Sequence, residues 1–203
     1  MIVIIDYDMG NLGSIKNMLH RIGCDDVKIS NELSDISAAD KLILPGVGAF
    51  DQGMNNIHER GLYSAIRMAV LDRKKPIMGI CLGMQLLGRK SEEGTQEGLG
   101  LIPFDTKKFV LSTDYKIPHM GWSDVTVMKD EPIVSNMTEQ EQRFYFVHSY
   151  HAVCDDKADV LMTCNYGYEF TAAVSRGNIY GFQFHPEKSH RYGMELFKNF
   201  VKV

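Results

Sequence analysis

The chain has 203 residues, 44% hydrophobic and 24% charged, with a formal net charge of −4. This length suits one domain with a properly buried core, and the ordinary composition argues against a disordered, collagenous or repeat protein. No block of Lys and Arg stands out along the chain, which argues against a nucleic-acid-binding surface.

In chain order, Ile2–Ile5 is a continuous apolar run that predicts a strand buried on both faces. The turn Asp8-Met9-Gly10-Asn11 follows, and Ile15, Met18, Leu19 and Ile22 then recur at helical spacing, with Gly23 as a stop. Residues 27–29 and 42–44 predict the second and third strands, the latter ended by Pro45 and Gly46. Residues 57–71 carry a helical pattern, Ile77–Ile80 predicts a fourth strand, and residues 84–90 look like the start of a helix. In the second half, residues 109–111, 125–128, 144–147, 152–154, 160–163, 172–174 and 179–184 are short and β-rich, and 192–201 predicts a closing helix. Strand–helix alternation followed by closely spaced strands predicts a three-layer α/β fold. Its central sheet is mostly parallel and flanked by helices, with antiparallel strands in the C-terminal half. One domain over residues 1–203 is expected. No run approaches the roughly 18 apolar residues of a membrane span. The start MIVIIDYD lacks the marks of a signal peptide, so the cytosol is the expected location.

Ligands of such sheets sit at the carboxyl ends of strands, where Gly79-Ile80-Cys81-Leu82-Gly83 stands out. It has the pattern of a nucleophile elbow, with sulfur in place of oxygen. A helix starting there favours the thiolate of Cys81 and leaves the Leu82 N–H free for an oxyanion. The plain alternative is a buried small hydrophobe. The other cysteines, Cys24, Cys154 and Cys164, lack this context, and without a CxxC pair no zinc cluster is expected.

A thiolate nucleophile needs a proton carrier. Of seven histidines, His185 ends a predicted strand, Pro186 stops further pairing, and Glu187 follows two residues on. Residues two apart in extended backbone face the same way, so the carboxylate can fix the imidazole tautomer as the acid of a triad does.

Together these motifs resemble the class I, triad-type glutamine amidotransferases over essentially the whole chain. Gly79-Ile80-Cys81-Leu82-Gly83-Met84-Gln85 looks like their nucleophile motif, and Phe184-His185-Pro186-Glu187 like their His and Glu motif. Within that family the nearer resemblance is to the glutaminase subunits of imidazole glycerol phosphate synthases, of histidine biosynthesis. It is carried by Asp6-Tyr7-Asp8-Met9-Gly10-Asn11, Pro45-Gly46-Val47-Gly48-Ala49-Phe50, Pro118-His119-Met120-Gly121-Trp122 and Phe144-Tyr145-Phe146-Val147-His148-Ser149-Tyr150. Asp8 and Ser123 depart from that pattern, where Gly and Asn are usual. Residues 188–194 resemble instead a paralogous branch that serves sugar amidotransferases of surface-glycan biosynthesis.

The resemblance implies hydrolysis of L-glutamine by Cys81, His185 and Glu187, with no cofactor and no metal. Leu82 and the backbone at Val47 and Gly48 would form the oxyanion hole, and Gln85, Glu93, His148, Ser149 and Tyr150 would hold glutamine. The implied partner is a cyclase/synthase subunit of (β/α)8-barrel type in a heterodimer, contacted near Asn11, Tyr145 and Lys188, and Trp122 is expected to pack in the core. Read without the resemblance, Gln85 is an ordinary helix residue, Glu93 a loop charge, and His148 and Tyr150 strand residues.

Overall fold

Burial on both faces explains the apolar runs of the first half. In a computed structural model, which describes residues 1–137 and 142–203, the chain opens with β1 (Ile2–Ile5), α1 (Leu12–Arg21), β2 (Val27–Ser30), α2 (Leu33–Ala38) and β3 (Lys41–Leu44). It continues with α3 (Phe50–Glu59), α4 (Leu62–Arg67), β4 (Ile77–Ile80) and α5 (Leu82–Leu86). The second half comprises β5 (Lys90–Ser91), β6 (Phe104–Lys108), β7 (His119–Val127), β8 (Gln142–His148), β9 (Tyr150–Cys154), β10 (Val160–Tyr166), β11 (Tyr168–Arg176), β12 (Ile179–Phe182) and α6 (His190–Lys202).

Strand order across the sheet is β2-β1-β3-β4-β12-β11-β10-β7-β8. β2, β1, β3, β4 and β12 run parallel. From β12 to β8 the pairing is antiparallel, while β9 pairs with β6 and touches β11 at one point. The mixed sheet is the one expected. Alternate residues of β1 enter opposite faces: Ile2 and Ile4 pack with Ile15 and Leu19 of α1 and with Phe197 and Phe200 of α6. Val3 and Ile5 pack with Phe50 and Met54 of α3, Ile66 of α4 and Leu82 of α5. Two apolar layers therefore hold helices on both sides of the sheet, each fully buried side chain contributing about 1.5–3 kcal/mol.

Three expectations need correction. The pattern over 57–71 is two helices: α3 already starts at Phe50, and Gly61, at φ 68, breaks the chain before α4. The helix expected over 84–90 starts at Leu82 and ends at Leu86. Leu99 and Leu101 donate their N–H groups to the Leu86 and Leu87 carbonyls at 2.8 Å, and this ends the helical ladder. Residues 109–111 form no strand. The pairing segment is β6, and Phe109 instead turns its ring into the core while Val110 is exposed. The short elements α2 and β5 were not anticipated.

Phe200 is fully buried between α6 and the sheet, edge-on to Tyr180 at 6.5 Å. Phe200→Ala is expected to lower stability by about 3–5 kcal/mol in urea titration with a retained transition slope. A loss below about 1 kcal/mol would contradict this packing.

Candidate active site

Parallel pairing of β4 with β12 runs to Ile80 opposite Phe182. Cys81 therefore leaves one strand next to the point where Gln183, Phe184 and His185 leave the other, and its N–H donates to the Phe182 carbonyl at 2.8 Å. Cys81 takes φ 53 and ψ −110 before α5 begins. A side chain in such a region costs on the order of 1–3 kcal/mol and persists only where the surroundings impose it. Here closely packed backbone imposes it, and two glycines allow that packing. A Cβ on Gly79 would lie 2.7 Å from the Gly83 carbonyl oxygen, and one on Gly83 would collide with the Leu44 carbonyl.

The loop after β3 closes over the same point. A Cβ on Gly46 would lie 2.6 Å from the Tyr7 hydroxyl and 2.7 Å from the Gly83 nitrogen, and the Tyr7 hydroxyl donates to the Pro45 carbonyl. Gly46 thus sits against the first turn of α5, whose leading N–H groups, Leu82 included, have no partner within the helix.

His185 is held from several sides. Its N–H donates to the Tyr145 carbonyl at 2.9 Å. Ser189, fully buried, donates its hydroxyl to the His185 carbonyl at 2.6 Å and accepts the Tyr145 N–H at 3.0 Å. The ring Nδ1 lies 2.8 Å from Glu187 Oε1, with both side chains 1–2% exposed. A carboxylate only accepts, so Nδ1 carries the proton, and Nε2 is the ring nitrogen that Glu187 does not engage. Burial pulls the His185 pKa down, but Cys81 beside the ring and the Glu187 carboxylate more than offset it and hold it at about 9. Nε2 itself has no aligned hydrogen bond among the described residues.

Cys81 and His185 share a cavity of about 300 Å3 with Val47, Gly48, Leu82, Gln85, Glu93, Pro118, Val147, His148, Ser149 and Tyr150. Every residue expected in the catalytic, oxyanion and glutamine-binding sets therefore lines this cavity except Glu187, which stands behind His185.

Residues 3–203 match the profile of the class-I glutamine amidotransferases. The chain belongs to that family. It is 54% identical over 203 residues to imidazole glycerol phosphate synthase subunit HisH 2 of Pseudomonas aeruginosa, covering all of both chains. It is 55% identical over 202 residues to the subunit of the same name in Methanococcus maripaludis, covering 100% of this chain and 99% of that one. Among solved structures, a glutamine amidotransferase shares the fold with a TM-score of 0.78 at 18% identity, covering 100% of this chain and 98% of that one.

In this class-I amidotransferase several cavity residues are already engaged. Glu93 Oε2 accepts the Phe50 N–H at 2.9 Å, at the start of α3. Gln85 is buried, and its Nε2 donates to Gln183 Oε1 at 3.0 Å. Gln183 was not singled out in the sequence. The available signal was a lone carboxamide inside the apolar run that leads into His185.

His148 forms one wall of the cavity and heads a directed chain of hydrogen bonds. Nδ1 lies 2.7 Å from the Tyr150 carbonyl and must donate, so Nε2 accepts from His119 Nδ1 at 3.0 Å. His119 Nε2 in turn accepts from the Ser123 hydroxyl at 2.9 Å. Ser123 thus supplies the donor that an Asn side chain could also provide. Burial pushes the pKa of His119 down to about 4 and that of His148 down to about 3.

Of the expected partner contacts, Tyr145 and Lys188 come together, with the Lys188 ammonium 5.9 Å from the Tyr145 ring. Asn11 is exposed and caps α1, accepting the Ser14 N–H at 3.4 Å. Trp122 corrects the sequence reading. It is 39% exposed, stacked on His190 at 5.5 Å and edge-on to Tyr145 at 6.2 Å, so it lies at the surface rather than in the core.

His119 and His148, with His151, whose pKa burial also lowers, set a pH dependence. The unfolded chain, whose histidines titrate near 6.5, takes up these protons before the fold can. Their stability contribution is complete above pH 6.5. It is lost as pH falls toward about 4 for His119 and about 3 for His148, by about 1.4 kcal/mol per pH unit and per ring. Urea titrations between pH 6 and 5 are expected to show this slope, and His119→Asn, which keeps a donor for His148, is expected to reduce it. An unaltered slope in the variant would contradict the assignment.

Proposed function

We propose that this chain is the glutaminase subunit of an imidazole glycerol phosphate synthase, with Cys81, His185 and Glu187 as its triad. On this reading residues 1–203 act as one amidotransferase domain. The observation that carries it is the strained turn that presents Cys81 beside a buried, carboxylate-bound His185 in a cavity lined by polar groups. Full-length identity to the HisH subunits supports the histidine-pathway acceptor over the sugar acceptor suggested by residues 188–194.

The chemistry follows from the geometry. The Cys81 thiolate attacks the carboxamide carbon of L-glutamine, forming a tetrahedral oxyanion. The Leu82 N–H and the backbone at Val47 and Gly48 receive that charge, each donor being worth about 3–4 kcal/mol of barrier. His185 protonates the departing ammonia, and Glu187 stabilises the imidazolium through Nδ1–H. Water then hydrolyses the Cys81 thioester with His185 as base, releasing glutamate. Gln85, Glu93, His148, Ser149 and Tyr150 line the space for the rest of the substrate.

Ammonium is not a nucleophile, so the ammonia must pass to its acceptor shielded from water. A cyclase of (β/α)8-barrel type seated over the cavity mouth, against Asn11, Tyr145 and Lys188, would provide that path in a cytoplasmic heterodimer. No helix among the described residues is long and apolar enough to cross a membrane.

The test pairs the chain with such a cyclase. Cys81→Ala is expected to abolish glutamine-dependent synthesis while leaving synthesis from added ammonium salts intact. Retention of glutamine-dependent synthesis by the variant would refute the reading.

A further inference from the structure

Gln183 is fully buried, yet it carries a carboxamide in a run that is otherwise apolar. Its N–H donates to the Ala172 carbonyl at 2.9 Å, extending the β12 pairing by one residue. Phe182 and Phe184 pack with the layer that contains α6, so Gln183, between them, projects to the opposite face, where α5 starts. There Nε2 lies 3.8 Å from Cys81 Sγ, and Oε1 accepts from Gln85 Nε2 at 3.0 Å. With its oxygen occupied by a donor from α5, the amide turns its nitrogen toward the sulfur. An enclosed carboxamide is costly unless both ends are satisfied, and here one end is satisfied by Gln85 and the other by sulfur.

We propose that Gln183 holds the Cys81 thiolate, donating an Nε2–H to the sulfur, with Gln85 as the residue that orients it. The proposal rests on Cys81 being the nucleophile and adds a donor to the sulfur besides His185, opposing the Val147 carbonyl, which lies 3.9 Å from Sγ and can only accept a thiol proton. A donor to sulfur favours the anion over the thiol, and because it sits behind the sulfur rather than in the cavity, it leaves the approach of glutamine open. It also gives Gln85 a role in the first turn of α5 that is independent of contact with substrate.

Alkylation of Cys81 by iodoacetamide across pH, followed by peptide mass spectrometry on the full chain, reads the thiolate directly. Other groups that share this environment are His185 and, behind it, Glu187 from the segment after β12, and Tyr7 from the turn after β1. Glu93 comes from the loop after β5, and His148 and Tyr150 from the β8–β9 corner. All of these are unchanged in the variants. Gln183→Met removes the donor at similar length, and Gln183→Glu keeps an acceptor for Gln85 while setting a carboxylate against the sulfur. Both are expected to raise the alkylation midpoint, by about one pH unit for Met and more for Glu. Ammonia release lost at neutral pH should return at alkaline pH, a recovery that a merely damaged fold would not give. Gln85→Met, which frees the Gln183 amide to rotate, is expected to raise the midpoint by less and serves if the Gln183 variants do not fold. Unshifted midpoints in the folded variants would overturn the proposal. Cys81→Ala separates the two ideas: persistent ammonia release there refutes the glutaminase reading itself, whereas its loss alongside unshifted midpoints refutes only the role of Gln183.

Discussion

Everything at the site depends on one strand pairing. β12 comes from near the end of the chain and inserts parallel to β4, from its middle, so that Phe182 aligns with Ile80. That register brings the residues after both strands to one corner. A slip by one residue would turn every β12 side chain to the other face, carrying Phe182 away from the apolar layer and the emerging His185 segment away from Cys81. The register is held by burial: Ile80, Phe182 and Phe184 are at most 1% exposed and belong to the same apolar layer. The packing that stabilises the fold therefore also positions the chemistry.

The corner is built under strain that the surrounding backbone imposes. Cys81 occupies a left-handed conformation because Gly79, Gly83 and Gly46 allow the backbones of β4, α5 and the loop after β3 to approach more closely than any side chain would permit. Close approach is what brings the start of α5 and the Val47–Gly48 backbone to the edge of one small cavity. At the other side of the cavity, Ser189 ties His185 to the backbone of Tyr145. His185 and the surface formed by Tyr145, Lys188 and Trp122 are thus mechanically adjacent.

The parallel half of the sheet was legible because its strands are short, apolar on both faces and bounded by Gly or Pro, and the Gly79 to Gly83 spacing announced its own geometry. His185 and Glu187 were legible as a pair from the strand end and the intervening Pro186. Periodicity failed where tertiary contacts outweighed it. Gly61 split a continuous helical pattern, carbonyls claimed by Leu99 and Leu101 shortened α5, and Phe109 used its apolar character for ring packing rather than for pairing. Trp122 misled for a related reason, since a large aromatic is a core residue by default unless the surface itself is specialised. Gln183 and the Ser123–His119–His148 chain escaped notice because their significance lies in which atom faces which, and spacing along a chain does not carry that information.

Cys81 and His185 meet in one cavity, and on the proposed reading that cavity takes glutamine. Labelling with a chloroketone derived from glutamine tests it most directly, because the reagent must first bind as substrate and then meet an activated sulfur. One label per chain is expected on Cys81, blocked by L-glutamine and strongly slowed in His185→Ala. Label distributed over Cys24, Cys154 and Cys164, or on Cys81 at a rate indifferent to His185 and glutamine, would contradict it.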